Sequence, residues 1–252
     1  MTTRWEVYQL AKDKYNFRLT PAFLKDAARL RRGEPLAYVI GWMPFLNCKI
    51  DLSYKPLIPR PETEFWTEKF IALIRANGGI RNKRLGCLDL FAGSGCVGVA
   101  VLKNLPGIHV DFADNSRSAI KQIRKNLRLN RINPHRAKII HSNILQNIGM
   151  KYDYILANPP YIPSARKLPS SVRAYEPRAA LFGKKDGLYF IQRFLKNAHA
   201  HLRPRGQIWM EFDAAQKNRL GKLLKSYGYK KYAFHEDQFN RWRFVVIKMG
   251  SN

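Results

Sequence analysis

The stretch "RLGCLDLFAGSGCVGVAVLKN", Arg84 to Asn104, decides the fold. "RLGCLDLF" reads as a buried strand, and an apolar helix is predicted over Cys96–Asn104. Between them Gly93, Gly95 and Gly98 form a G-x-G-x-x-G. Glycines at these points let the backbone turn tightly and approach a ligand with no Cβ in the way. Alone, this spacing suits any nucleotide-type cofactor.

Outward from the loop, strand and helix patterns alternate. "HVDFAD", "AKIIHS", "YDYILA" and "GQIWMEF" are predicted strands. Helices are predicted over Ser116–Leu129, where Ala119, Ile120, Ile123 and Leu127 share one face, and over Gly187–Leu202. Such alternation implies a parallel sheet with helices on both faces. "KKYAFHED" and "RWRFVVIKM" read as a hairpin added at the end. Upstream, a helix is predicted over Glu62–Arg75. Before it, a hairpin and linker surround "KIDLS" among Gly41, Pro44, Pro56, Pro59 and Pro61. Residues 1 to about 40 read as helical, with Val7, Leu10 and Ala11, then Phe23, Ala27 and Leu30, at helical spacing. The expected fold is therefore α/β: a mostly parallel seven-stranded sheet with a terminal antiparallel hairpin and a small helical N-terminal region. The expected boundaries are 1–42 for the helical region, 43–60 for the hairpin linker and 61–252 for the main domain.

In an open sheet of this kind ligands bind beyond the carboxyl ends of the strands. Asp114 ends the second strand, where its carboxylate can accept both hydroxyls of a ribose or else cap the helix beside Ser116. Glycine loop and acid together indicate an adenosine cofactor, either a dinucleotide or S-adenosylmethionine (SAM). Asp89 favours SAM, because an acid there repels a pyrophosphate but can hold loop amides or an ammonium group.

"NPPY", Asn158 to Tyr161, is more selective. Two prolines cannot continue a ladder, so the strand must stop. An amide or exocyclic amine nitrogen attacks a methyl group poorly, because its lone pair is delocalised. Two acceptors taking both N–H bonds would fix the NH2 group with that lone pair facing the methyl. The Asn158 side-chain oxygen and the Pro159 carbonyl are the candidates, Pro160 stiffens the turn, and Tyr161 offers a ring to stack on a planar substrate.

Composition bounds the setting. The chain has 252 residues, 46% hydrophobic and 25% charged, as in ordinary globular proteins. No apolar run nears the roughly 18 residues of a membrane span. No apolar leader is evident at the N-terminus, and Cys48, Cys87 and Cys96 follow no metal-ligand spacing, so a cytoplasmic protein without a metal is expected. Lys+Arg number 45 against 18 Asp+Glu, formally +27, which points to contact with nucleic acid or the ribosome, or to an unusual cell interior. Asn115–Lys138 holds eight Lys/Arg and no acid, which a solvated helix face explains as well as an RNA contact does.

The chain resembles the class I SAM-dependent methyltransferases, with their Rossmann-like fold, and more narrowly the PrmC/HemK family. That family methylates glutamine in peptide-chain release factors. "RRGEPLAYVIGWMPF", "LIPRPETEFWTE", "YEPRAALFGKKDGL", "EFDAAQ" and the ending with Asp237, Asn240 and Arg241 carry the narrower match, which runs from about Arg31 to the C-terminus. The resemblance implies SAM as cofactor and a release factor as partner; a monomer is expected, although the sequence does not fix the oligomeric state. It places Phe91, Ala92, Gly93, Ser94 and Gly95 around the methionine part of SAM and Asp114 on the ribose. Asn143 and Ile144 flank the adenine, with Asn143 where an acid is more usual and Phe91 where glycine is common. Asn158 to Tyr161 hold the glutamine. Arg60, Glu62 and Glu64 of PRPETE read either as the pocket rim or as an ion-pair cluster opening a helix with Pro61 in its first turn. Glu176 reads either as substrate-binding or as a loop anchor. An adenine-amine methyltransferase of RNA or DNA, or a glutamine methyltransferase of a ribosomal protein, is the alternative.

Overall fold

The computed structural model describes residues 2–76 and 85–250; Arg84, the first residue of the predicted glycine-loop strand, lies outside them. Three helices open the chain: α1 (Arg4–Tyr15), α2 (Pro21–Arg31) and the short α3 (Leu36–Ile40). A two-stranded antiparallel hairpin follows, β1 (Trp42–Phe45) and β2 (Cys48–Asp51). The main domain begins with α4 (Pro61–Ala76) and continues through β3 (Leu85–Leu90), α5 (Cys96–Asn104), β4 (Ile108–Asp114), α6 (Arg117–Leu129), β5 (Ala137–His141) and β6 (Tyr152–Ala157). Next come α7 (Ser170–Tyr175), α8 (Arg178–Leu181), α9 (Tyr189–Asn197), β7 (Leu202–Glu211), α10 (Lys217–Ser226), β8 (Lys231–Glu236) and β9 (Trp242–Lys248).

Seven strands form one sheet in the order β5-β4-β3-β6-β7-β9-β8, parallel except for β9, which runs antiparallel to both neighbours. The alternation read from the sequence thus gives the predicted sheet. Side chains point alternately to opposite faces of a strand, so each strand feeds two cores. Cys87 of β3 joins Trp66, Phe70, Val99 and Phe112 on the α4–α5 side. Leu88 and Leu90 join Ile155, Phe194 and Leu220 on the α9–α10 side. The chain leaves β3 toward β4 on one side and pairs with β6 on the other. A crevice opens at such a switch point, beyond the strands' carboxyl ends.

Some elements differ from the prediction. β7 starts at Leu202, not Gly206, because Tyr152 pairs with Leu202 before pairing resumes at Tyr154 with Gln207. The intervening bulge accommodates Pro204, which has no N–H to give, and Arg205 at a φ of 62°. The helix predicted to reach Leu202 ends as α-helix at Asn197 and tightens into a 3-10 turn over Ala198–His201.

The hairpin is docked by α6. Asn130 exchanges two hydrogen bonds with the Lys49 backbone, at 3.0 and 2.8 Å, and Asn126 two with that of Asp51, at 2.8 and 3.2 Å. Gln122 accepts from the Tyr54 amide at 2.9 Å. These amides stand four residues apart on one helix face and satisfy an otherwise open strand edge. The first three helices bury Leu10, Phe23, Leu30 and Val39 among themselves. Buried Glu34 takes Arg29 at 2.8 Å and Lys55 at 3.1 Å, tying this bundle to the linker.

Candidate active site

The glycine loop is held by β4. Ala92 N–H donates to the Ala113 carbonyl at 3.1 Å, and Gly93 N–H donates to Asp114 Oδ2 at 2.8 Å. Gly93 (φ 54°) and Gly95 (φ 77°), the latter capping α5, adopt the left-handed conformation that glycine enters without strain. Phe91 shares that region at φ 61°, and its ring packs edge-on against Phe190 and Phe194. A side chain there costs about 1–2 kcal/mol, and the aromatic packing offsets it.

Above the loop lies a cavity of about 410 Å³, lined among others by Asp89, Phe91, Gly93, Asp114, Asn143 and Ile144. Asp114 accepts Gly93 N–H on one carboxylate oxygen and Ser116 N–H on the other, each at 2.8 Å, which leaves a second lone pair on each oxygen. Burial raises the Asp114 carboxyl above the usual range, against the pull of these amides. Asp89 is buried and accepts Gly98 N–H at 2.8 Å; burial pushes its carboxyl up to about 8.

A smaller cavity of about 150 Å³ adjoins it, lined by Pro159, Tyr161, Leu168 and Glu211. Asn158 and Arg60 line both cavities, while Pro160 lines the larger. The NPPY turn is therefore the wall between them. Among the described residues no N–H or O–H donates to Asn158 Oδ1 or to the Pro159 carbonyl. The Asn158 amide nitrogen is engaged instead, donating to Thr63 Oγ1 at 3.2 Å. Thr63 donates to Glu211 Oε2 at 2.7 Å, Trp66 Nε1 donates to the same oxygen at 2.8 Å, and Tyr161 donates to Glu211 Oε1 at 2.9 Å. Burial raises the Glu211 carboxyl, opposed by these three donors and by the Arg243 guanidinium. Burial and then Glu211 push the Tyr161 phenol well above its ordinary value, so it stays a donor.

The turn's exit is fixed from outside the motif. Gln216 Nε2 donates to the Tyr161 carbonyl at 2.9 Å, and Ile162 exchanges backbone bonds with Leu181 and Gly183 at 3.0 and 2.9 Å. Gly187 sits so close that an added Cβ would lie 2.9 Å from the Tyr161 carbonyl carbon and nearer still to its oxygen.

The linker that carries Arg60 crosses the site and is pinned by Glu176. This buried carboxylate accepts Ile58 N–H at 3.1 Å and pairs with Arg60 at 2.6 Å. Glu62 and Glu64, on the first turn of α4, line neither cavity. Glu62 faces Arg243 at 3.9 Å, and Glu64 accepts the Leu46 amide of the hairpin turn at 2.7 Å. Gly95 is not on the cavity wall, and Glu176 reaches the site only through Ile58 and Arg60. Asp237 orients Arg243, accepting from its Nε at 3.0 Å. Sequence reasoning missed Thr63, Trp66, Glu211 and Gln216. Thr63 stands inside PRPETE, and Glu211 and Gln216 bound EFDAAQ, so the motifs were visible; the burial that joins them was not.

This sheet order, with a glycine loop after its first parallel strand and an Asn-Pro-Pro-aromatic turn after the fourth, defines the class I methyltransferase fold. Residues 73–173 match the Methyltransferase small domain family. Solved structures agree in fold alone: a Pyrococcus furiosus methyltransferase has a TM-score of 0.55 at 15% identity, covering 90% of this chain and 98% of that one. A T. thermophilus 16S rRNA methyltransferase, in complex with AdoMet and guanosine, has a TM-score of 0.60 at 16% identity, covering 82% and 49%. A release factor glutamine methyltransferase of Lactococcus lactis is 30% identical over 223 residues, 87% of this chain and 79% of that protein. Another, from Buchnera aphidicola, is 36% identical over 205 residues, 80% and 69%. The chain belongs to the release factor glutamine methyltransferase family. It also matches a Rickettsia prowazekii bifunctional methyltransferase at 31% identity, spanning 46% of that longer protein.

Proposed function

We propose that this protein transfers a methyl group from S-adenosylmethionine to the side-chain amide nitrogen of the glutamine in the Gly-Gly-Gln motif of a peptide-chain release factor. The observation that carries this reading is the Asn158–Tyr161 turn between two cavities, with two acceptors, Asn158 Oδ1 and the Pro159 carbonyl, that take no donor among the described residues.

The larger cavity fits the cofactor: Asp114 keeps free lone pairs for ribose hydroxyls, and Phe91, Ile144 and Phe190 give an apolar wall for adenine. Asp89, buried at its floor, suits a cationic ammonium. When bound, SAM supplies an electrophilic methyl group. The chain's own residues do the positioning. Asn158 Oδ1 and the Pro159 carbonyl accept the two N–H bonds of a primary amide, and this fixes the NH2 group with the face that carries its lone pair toward the methyl. Tyr161 and Leu168 bound the slot for the side chain. Such alignment contributes up to about 7–11 kcal/mol. The nitrogen sheds its proton after methylation, so no strong base is required.

Two acceptors also discriminate. Glutamate presents oxygens to them, leaving unpaired acceptors at about 1–3 kcal/mol or more. The proposed partner is a release factor, as the relatives' names support, and the proposed setting is the cytoplasm, where a release factor would meet it. The +27 charge, with Arg117, Lys121, Arg124 and Arg128 on α6, favours an added contact with ribosomal RNA, and together with a turn that suits an exocyclic amine as well as an amide it supports the alternative adenine-amine methyltransferase reading.

The test is to incubate the protein with labelled SAM, a release factor and total RNA. Label is expected on the Gly-Gly-Gln glutamine, with none on a Gln→Glu release factor. Asn158→Ala should abolish turnover while SAM still binds. Label in RNA alone, or on the Glu variant, overturns the reading.

A further inference from the structure

We infer that Thr63 and Glu211 are positioning residues that lock the Asn158 side-chain amide in one of its two orientations, making the site an acceptor for NH2 groups. This rests on the proposed amide methylation and deepens it: it assigns the device that sets the site's choice of substrate group.

A side-chain amide can rotate by half a turn, exchanging its oxygen for its nitrogen. The prolines beside Asn158 fix backbone φ and leave that rotation free. The buried network removes the freedom. Trp66 Nε1 can only donate, and it donates to Glu211 Oε2. Thr63 has a single hydroxyl proton and gives it to the same oxygen at 2.7 Å. Thr63 Oγ1 is thereby left with lone pairs alone facing Asn158, so the atom 3.2 Å away must be the amide nitrogen. Rotated by half a turn, the amide would set its oxygen against another acceptor in a site from which water is excluded, since Thr63 is 2% and Glu211 1% exposed. Glu211 is held as the acceptor at the end of the chain by a third donor, the Tyr161 hydroxyl, and by the nearby Arg243 guanidinium.

Specificity follows. With Oδ1 fixed beside the Pro159 carbonyl, both polar atoms that the turn offers to the slot accept hydrogen bonds. Were Asn158 free to rotate, it would present a donor half of the time, and a carboxylate or carbonyl oxygen would be tolerated. Thr63 and Glu211 touch neither reacting atom in this scheme; they act through Asn158.

The experiment compares Thr63→Val, which keeps the shape and removes the hydroxyl, with Thr63→Ser, which keeps the hydroxyl. Substrates are a release factor and its Gln→Glu variant. Thr63→Val is expected to lower kcat about 100-fold at a temperature where the variant stays folded, with a melting temperature about 2–12 °C lower because buried Glu211 loses one donor. It is also expected to weaken the preference for binding Gln over Glu about 10-fold. Thr63→Ser should restore most of the turnover and the preference. A substrate-independent readout accompanies these: the 15N-resolved Asn158 side-chain NH2 protons, which should exchange slowly in the wild type and in Thr63→Ser and rapidly in Thr63→Val. If the wild type methylates no release factor, the proposed function fails, and the NH2 exchange still decides this inference. Unchanged Asn158 exchange in Thr63→Val, or a Gln/Glu preference equal in all three proteins, overturns it.

Discussion

Replacing Gly187 with alanine should damage the site from behind. Gly187 adopts φ 76°, which costs a residue with a Cβ about 1–2 kcal/mol. The new methyl would also meet backbone, since the Tyr161 carbonyl carbon lies 2.9 Å from the Cβ position and the carbonyl oxygen and Gln216 Nε2 lie nearer. Gln216 can swing away only by giving up its 2.9 Å bond to the Tyr161 carbonyl. Overpacking of this kind costs about 1–3 kcal/mol, so the two contributions reach about 2–5 kcal/mol against a total stability of about 5–15 kcal/mol. At about 2–4 °C per kcal/mol for a chain of this size, the melting point should fall by about 4–20 °C. Whatever strain the fold relaxes is relaxed by moving Tyr161, and a displacement near 1 Å costs about 100-fold in turnover. Gly149→Ala is the control, because nothing lies within 4 Å of its Cβ position. Calorimetry and a labelled-methyl assay on the two variants test the reasoning. A Gly187→Ala protein that melts within about 1 °C of wild type and keeps full turnover would refute the close approach.

Other predictions concern charge. The Asp89 carboxyl is pushed up to about 8 in the fold from 3.8, so the folded protein without cofactor holds a proton that the unfolded chain releases between those values. The stability that Asp89 contributes should therefore be fullest below about 4, fall as pH rises toward about 8 and level off above it. Carboxyls held below their usual range, such as Asp51 and Asp237, instead lose theirs in acid. The difference between Asp89→Asn and wild type in melting curves taken across pH should isolate the Asp89 slope. Asp114→Asn leaves one of the Gly93 and Ser116 amides without its acceptor. Hydrogen bonds to charged groups are worth about 1.5–3 kcal/mol, so SAM affinity measured by calorimetry should drop about 10–150-fold. Glu176→Ala frees both the Ile58 amide and Arg60, so hydrogen exchange at Ile58 should quicken by at least about 10-fold while amides of β3 and β6 stay protected. Equal protection at Ile58 would show that the linker does not depend on this anchor.

Features encoded by adjacent residues were legible in the sequence. The glycine loop, the ends of the parallel strands and the NPPY turn announce themselves through local spacing, and Asp89, Phe91, Asp114, Asn143, Ile144 and Asn158 do line one cavity. What was not legible depends on residues far apart in the chain. Thr63 and Glu211 are 148 positions apart and meet only because the first turn of α4 packs over the end of β7. Glu62 and Glu64 drew notice as charges in PRPETE, yet it is the uncharged Thr63 between them that reaches the cavity. α10 was hidden for a different reason: its apolar stripe, Leu220 and Leu224, is diluted by lysine and arginine. On α6 the apolar face is legible, but the buried Gln122, Asn126 and Asn130 beside it carry no local signal, because the hairpin backbone they pair with lies about 70 to 80 positions away.

The NPPY turn offers two acceptors, and two different devices hold them. The Pro159 carbonyl belongs to the backbone, so fixing it takes constraints on backbone: two proline rings, the Ile162 bonds to Leu181 and Gly183, and the close approach of Gly187. Asn158 Oδ1 belongs to a side chain, which none of these constrain; its orientation comes from Thr63, Trp66 and Glu211 on the opposite side of the turn. This division explains why PRPETE and EFDAAQ accompany NPPY in one chain: each holds part of the turn in place. PRPETE brings Thr63 against Asn158, and EFDAAQ brings Glu211 beneath Thr63 and Gln216 against the Tyr161 carbonyl. In the proposed reaction the turn aligns an NH2 group only while both halves are held, so the three motifs act as one device.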